Sequence, residues 1–318
     1  MLQEKDYAYY ARILDDRLSL CQYRANNRGF FRVHTRQRPY EVYVERALPQ
    51  FNIGSQINAF SLYKPEKDYI FIMQDLVDFF AIVLQNASAS QQEYTWMFHT
   101  ILYFCGFHEF AHLYLGHCQL KNSCRMAMTF SDNVTEELSP KDIQAMEFEA
   151  DMYAAAQLAD LVREKIKNKE YRKLWGYPSK EVFYSHVLKA LCGFFSIIKY
   201  LEYKEQKKRS WGKSKAYDHP SYLLREYLTG TLFSSLMAEY GFKRMDDDFF
   251  YYLFHTDPIF MHAPYDESLV KHDYSAILDG SIKYHTRDVL DYCNNVLDKK
   301  TAPFARLKAC GTTTLKFE

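Results

Sequence analysis

Apolar residues recur near helical spacing over residues 3–20, which predicts an amphipathic opening helix. Asn26-Asn27-Arg28-Gly29 reads as a turn. The pattern then changes to alternation over residues 30–34 and 40–44, as in strands. Residues 57–63 and 69–73 form the arms of a predicted hairpin, with Lys64-Pro65-Glu66-Lys67-Asp68 as its turn. Helical spacing returns over residues 75–86, where Leu76, Phe79, Phe80, Val83 and Leu84 make one apolar face. A short loop follows at residues 86–90.

Three long helices dominate what comes next. Ser90-Gln91-Gln92-Glu93 is a capping box, in which Ser90 accepts from the Glu93 N–H and Glu93 reaches back. Helical spacing then runs to Leu115, and Gly116 suits the stop. Gly106 inside this helix should cost about 1 kcal/mol relative to Ala, so it predicts close packing against another element. Residues 118–138 are polar and irregular and read as a loop. Ser139-Pro140-Lys141-Asp142 starts a second helix, expected to end near Lys165, with Ser as cap and Pro at the first helical position. Ser179 caps a third, expected to reach about Lys204. Residues 204–215 are basic and read as a solvated loop. Beyond residue 230 the chain is helical and tyrosine-rich, and no internal repeat appears.

Composition narrows the classes. A chain of 318 residues makes one large domain or two smaller ones. Aromatic residues reach 17%, with 27 Tyr and 24 Phe, so the core is expected to be aromatic-rich. Forty basic and forty acidic side chains balance, which argues against nucleic acid or an anionic membrane surface as a general partner. The seven Cys are scattered with no CxxC pair, which fits reduced thiols in a cytoplasmic protein. Cys118 and Cys124 read as ordinary thiols rather than ligands. No leader is visible at residues 1–6, and no stretch approaches the ~20 apolar residues of a membrane span. A soluble cytoplasmic protein is therefore expected.

The chemistry lies in His108-Glu109-Phe110-Ala111-His112, near the end of the first long helix. Histidines four apart share one helix face, where both imidazoles can bind one zinc ion. Glu109 beside them can take a proton from a water on that metal, as in the HExxH pattern of zinc peptidases. A catalytic zinc usually has a third protein ligand and one open position. His117 follows His112 by five, about 140° around a continuing helix, and reads as a helix-end histidine suited to the dipole. Glu147 on the second long helix is the better candidate. Asp151, one turn further, could accept the free N–H of a ligating His and so fix its orientation. Glu149 should point elsewhere, and Asp160 and His186 are weaker candidates still. Small residues at Ala150, Ala154, Ala155 and Ala156 would permit close helix contact.

HExxH on one helix followed by Glu147-x-x-Ala150-Asp151 on the next resembles the gluzincin metallopeptidases, in particular HtpX-like and CAAX-prenyl-protease-like families. Asn58-Ala59-Phe60, the strand at 69–73 and the helix at 75–86 resemble the order of elements before HExxH in that group. Asp218-His219-Pro220-Ser221 with Arg225 resembles their downstream HPxxxR segment. The resemblance implies one Zn2+ per chain on His108, His112 and Glu147, with Glu109 as general base and Asp151 outside the ligands. It implies that the strand carrying Asn58, Ala59 and Phe60 is the edge an extended substrate pairs with, that His219 stabilises the oxyanion, and that Arg225 holds the local structure. The membrane families carry spans this chain lacks, so it is more similar to soluble relatives such as the phage-exclusion protease Lit and the ImmA/IrrE-type proteases.

The expectation is an α+β, predominantly helical fold. A small antiparallel sheet or hairpin would pack on the HExxH helix in a zincin-like manner. Residues 1–50 would hold a helix and strands, 51–230 the metallopeptidase domain, and 231–318 a helical extension packed on it. The expected function is a zinc endopeptidase acting on a protein or peptide, in a regulated or host-defence role. The alternative is a latent or non-catalytic regulatory protein in which zinc clamps helices.

Overall fold

The computed structural model describes residues 2–27, 39–51, 54–121, 138–174, 176–204, 222–242 and 281–302. The predicted strand at 30–34, Cys124, the basic stretch after residue 204 and His219 lie outside these residues. The fold is predominantly helical with one small sheet. The chain divides into two compact units. The first comprises Met1–Asp78, Cys105–Ala150 and Val289–Glu318, and the second Phe79–Phe104 and Asp151–Asp288.

The first unit begins with helix α1 (Glu4–Asn27), followed by strands β1 (Tyr40–Glu45), β2 (Ala59–Tyr63) and β3 (Asp68–Met73). The predicted hairpin is β2–β3, antiparallel, with Ala59 opposite Ile72 and Tyr63 opposite Asp68. The sheet is nevertheless mixed rather than antiparallel, because β1 pairs parallel to β3 in the order β1-β3-β2. The reason lies in β3. Asp68-Tyr-Ile-Phe-Ile-Met73 is the most apolar of the three strands, and both of its faces are buried. Such a strand belongs in the middle of a sheet. The hairpin leaves one side of β3 open, and β1 takes it.

The two faces of the sheet have different neighbours. Phe71 and Met73 pack with Leu48, Phe51, Tyr43, Phe60 and Tyr69 into an aromatic cluster. Residues in register alternate faces, so Tyr40, Val42, Ile70, Ile72, Ala59 and Ser61 share the opposite face. On that face the ring of Tyr40 meets Phe110 edge-on at 5.9 Å.

Helix α2 (Gln74–Ala87) follows β3 directly, with Leu76, Val77, Phe80 and Leu84 buried. Helix α3 (Gln91–Tyr114) is capped as expected: the Glu93 N–H donates to Ser90 Oγ at 3.1 Å. The Glu93 carboxylate reaches back to the Ala89 N–H at 2.8 Å. The helix ends before Gly116, whose φ of 83° is the left-handed conformation that glycine adopts without steric cost. Helical structure then resumes at residues 117–121, here α4, where a loop was expected from residue 118. Helix α5 (Pro140–Lys167) starts with Ser139 and Asp142 capping each other, Asp142 N–H to Ser139 Oγ at 3.1 Å and Ser139 N–H to Asp142 Oδ2 at 2.9 Å. Near the end of the chain, Tyr292 and Lys300 both donate to Asp142, at 3.1 and 3.0 Å, tying that segment to the start of α5.

The second unit takes the N-terminal part of α3 and the C-terminal part of α5, with α6 (Glu170–Lys173), α7 (Lys180–Lys204) and α8 (Tyr222–Ala238). Its core is aromatic, as composition implied: Trp96 lies on Phe183 at 4.7 Å and Phe104 on Phe194 at 4.9 Å. Among the described residues, Lys180–Ile198 is the one stretch long and apolar enough to cross a membrane, marginally, and most of it is buried in this core. Core packing accounts for its apolar character.

Gly106 meets the expectation of close packing. A Cβ built there would sit 2.7 Å from Cδ2 of Leu14 on α1, and Leu14 is wholly buried. Alanine in the helix interior would by itself gain about 1 kcal/mol over glycine. Overpacking of this kind costs about 1–3 kcal/mol. Gly106→Ala should therefore be neutral to destabilising by up to about 2 kcal/mol in urea unfolding. The same change on a Leu14→Ala background should stabilise. A plain gain of stability in the single variant would mean that α1 does not press on α3.

A candidate metal centre

The last two turns of α3 are apolar except where the motif lies. Phe104, Phe107, Phe110 and Leu113 are fully buried, and His108 and Glu109 are each only 8% exposed. The 3.6-residue period stacks His108 and His112 on one face, and their Nε2 atoms stand 3.0 Å apart. Glu147 arrives from α5 with Oε2 at 3.4 Å from His108 Nε2 and Oε1 at 3.6 Å from His112 Nε2. Among the described residues these three form the one cluster of potential ligands that could hold a metal ion.

The donor set can be tested for fit. Nitrogen and oxygen ligands lie about 2.0–2.1 Å from zinc, so two corners of a tetrahedral site are about 3.3 Å apart. The two imidazole nitrogens here are 3.0 Å apart, each has a different Glu147 oxygen nearest to it, at 3.4 and 3.6 Å, and one donor atom from each residue lies within 4.8 Å of the other two. Two imidazoles and a carboxylate are also a ligand set zinc accepts, with a fourth corner left for water. The residues present fit a metal ion held by two imidazoles and a carboxylate.

Beyond the ligands the arrangement differs from simple helical-wheel reasoning. His117 is not a solvated helix end. It is 2% exposed, with Nδ1 at 3.0 Å from Nδ1 of His112 and Nε2 at 3.0 Å from Glu149 Oε2. The 140° argument assumed a continuous helix, but the left-handed turn at Gly116 resets the direction of the chain. Glu149 does point away from Glu147, and what it points at is His117. The signal available in the sequence was the glycine between His112 and His117, which releases His117 from the α3 period.

The other singled-out residues fall as follows. Asp151, expected beside a ligating His, accepts two hydrogen bonds from Arg225, at 2.6 and 2.9 Å, and both side chains are almost fully buried. Arg225 on α8 is thereby paired with α5. Asp160 pairs with Arg163 at 3.0 Å, and His186 lies against the Tyr177 hydroxyl at 3.1 Å. Cys118 sits on α4 with its sulfur 3.5 Å from Ser61 Oγ. Burial pushes its thiol up to about 12, so it stays neutral, and it is not among the clustered ligands. The negative charges of Glu109 and Asp68 add to the effect of burial.

Among the described residues β2 is an edge strand. Met73 N–H donates to the Asn58 carbonyl at 3.0 Å, so Asn58, Phe60 and Leu62 direct their backbone groups to β3. Ala59, Ser61 and Tyr63 therefore direct theirs away from it. The Asn58 side chain takes the Ala59 N–H at 2.9 Å.

Removing one partner of a buried ion pair leaves an uncompensated charge, at about 3–5 kcal/mol. Arg225→Ala should lose stability of that order in chemical denaturation. Replacing both partners, Asp151→Leu with Arg225→Met, should lose far less. Equal losses would show that the pair is not the buried, mutually dependent unit its geometry describes.

Comparison with models of known protein families finds no match for this chain, and comparisons with curated proteins and with solved structures find none either.

Proposed function

We propose that the protein is a zinc-dependent endopeptidase, with His108, His112 and Glu147 holding the ion. The observation that supports this reading is the convergence of one donor atom from each of those three residues within 4.8 Å of one another, with Glu109 next in sequence to the first. Zinc bound there would supply Lewis acidity to a water and to the scissile carbonyl.

The protein's own groups would do the rest. Glu109, held in a largely apolar helix, takes a proton from the attacking water. It then delivers that proton to the leaving amine, so the same carboxylate serves as base and acid. The apolar side chains around it keep competing water away, which strengthens electrostatic interactions at the site. A peptide substrate is favoured by the edge strand β2. An extended segment can add to it through backbone hydrogen bonds, using the Ser61 N–H and the Tyr63 backbone groups that face away from β3, since the Asn58 side chain takes the Ala59 N–H.

The test is metal content and cleavage measured together. Wild-type protein should carry one zinc per chain by mass spectrometry and cut members of a mixed peptide library. Glu147→Ala should lose the zinc. Glu109→Gln should keep the zinc and cut about 10²–10⁴-fold more slowly, the usual contribution of a general base. Undiminished cleavage by Glu109→Gln would refute the mechanism. Wild-type protein that takes up no zinc on reconstitution would refute the function.

A further inference from the structure

The buried row Glu149, His117, His112 invites a question about its purpose. Apolar side chains of similar volume would serve the fold at least as well, because buried ionic groups rarely add net stability. His117 and Glu149 are 2% and 4% exposed. Their hydrogen bonding has a direction, however, and it ends at the metal centre.

The protons can be placed in order. A carboxylate only accepts, so the Nε2 of His117 that faces Glu149 Oε2 at 3.0 Å carries the hydrogen. A neutral imidazole then presents a lone pair at its other nitrogen, Nδ1. The atom 3.0 Å from it, Nδ1 of His112, must be the one that carries a hydrogen. His112 is thereby left with its lone pair on Nε2, the atom that faces His108 and Glu147. That is the form of imidazole a metal requires.

We propose that His117 and Glu149 are positioning residues, which hold His112 in the tautomer and ring orientation that can ligate the ion. The proposal rests on the metal-site reading above. Glu149 sets the proton on His117, His117 sets the proton on His112, and the ion meets a ligand already oriented. Such outer partners typically contribute 10–100-fold to metal affinity. Glu149 and Glu147 do this from one short stretch of α5, two residues apart and on different sides of the helix.

The experiment is zinc affinity by competition with a chromogenic chelator, with the visible spectrum of the cobalt-substituted protein as a second readout. Wild type is compared with His117→Phe, His117→Gln, Glu149→Gln and the double variant His117→Phe/Glu149→Leu. Circular dichroism and thermal unfolding of the metal-free forms report the fold. The double variant guards against misfolding, because His117 and Glu149 are removed together and neither is left buried without the other. It should fold as wild type does without metal, yet bind zinc about 10–100-fold more weakly and show an altered cobalt spectrum. His117→Gln should regain most of the affinity, since its amide oxygen can accept from His112 while its nitrogen donates to Glu149. Glu149→Gln should fall between the two. A folded double variant with wild-type zinc affinity and an unchanged cobalt spectrum would overturn the proposal. So would His117→Gln binding no better than His117→Phe, since the site would then need only a filled volume. Wild type that binds no zinc is a different result: it removes the metal reading itself, and the proposal with it.

Discussion

Three polar donors converge where the chain is otherwise apolar, and that convergence constrains the surrounding structure. His108 and His112 project from a helix whose neighbouring positions are Phe104, Phe107, Phe110 and Leu113, all buried. Glu147 enters the same space from α5 between the buried residues Met146 and Phe148. Burying an imidazole pair and a carboxylate together costs free energy unless each finds a partner. With Nε2 atoms 3.0 Å apart and carboxylate oxygens at 3.4 and 3.6 Å, a shared cation satisfies all three donors at once. The close approach of α1 at Gly106 and the contact of Tyr40 with Phe110 keep the α3 segment in place while it carries that load.

How much of this was legible in the sequence depends on the range of the interaction concerned. The helix starts are local, so they could be read directly. Ser90, Ser139 and Ser179 each cap the helix that follows, and the Ser179 hydroxyl accepts from Val182 N–H at 3.3 Å. The hairpin was legible for the same reason, since the turn at Lys64 to Lys67 lies between its arms. The partner of β3 on its far side was not. Parallel pairing of β1 with β3 is set by which strand is most apolar and by the connection over residues 46–67, which itself contains β2, and neither appears as a local pattern. The candidate ligands His108 and His112 were legible because one helical period joins them. Glu147 was chosen from a second helix by chemistry and spacing, and the structure places it at the same corner.

The misreading of His117 has a single physical cause. Angular arithmetic on a helix holds only while φ and ψ repeat. Gly116, with φ of 83°, ends the repeat one residue before His117, and α4 starts in a new direction. The glycine was visible as a stop signal. What a stop signal does not reveal is where the next side chain goes, because that depends on the carboxylate waiting for it on α5. Glu149 shows the same limit from the other side: its distance from Glu147 on the helical wheel was legible, but its object was not.

Both nitrogens of the His112 ring are thus addressed from α5. Glu147 stands at the Nε2 side, and Glu149 acts on the Nδ1 side through His117. Phe148 between them is wholly buried and fixes the register of the two carboxylates. A shift of α5 by one residue would exchange neither carboxylate for the other. It would remove both from the ring, because residues one apart differ by 100° around the helix. The position of α5 therefore couples the metal corner to the outer hydrogen-bond row. In the peptidase reading, that coupling lets a single helix position set a ligand and hold its neighbouring ligand to the correct tautomer.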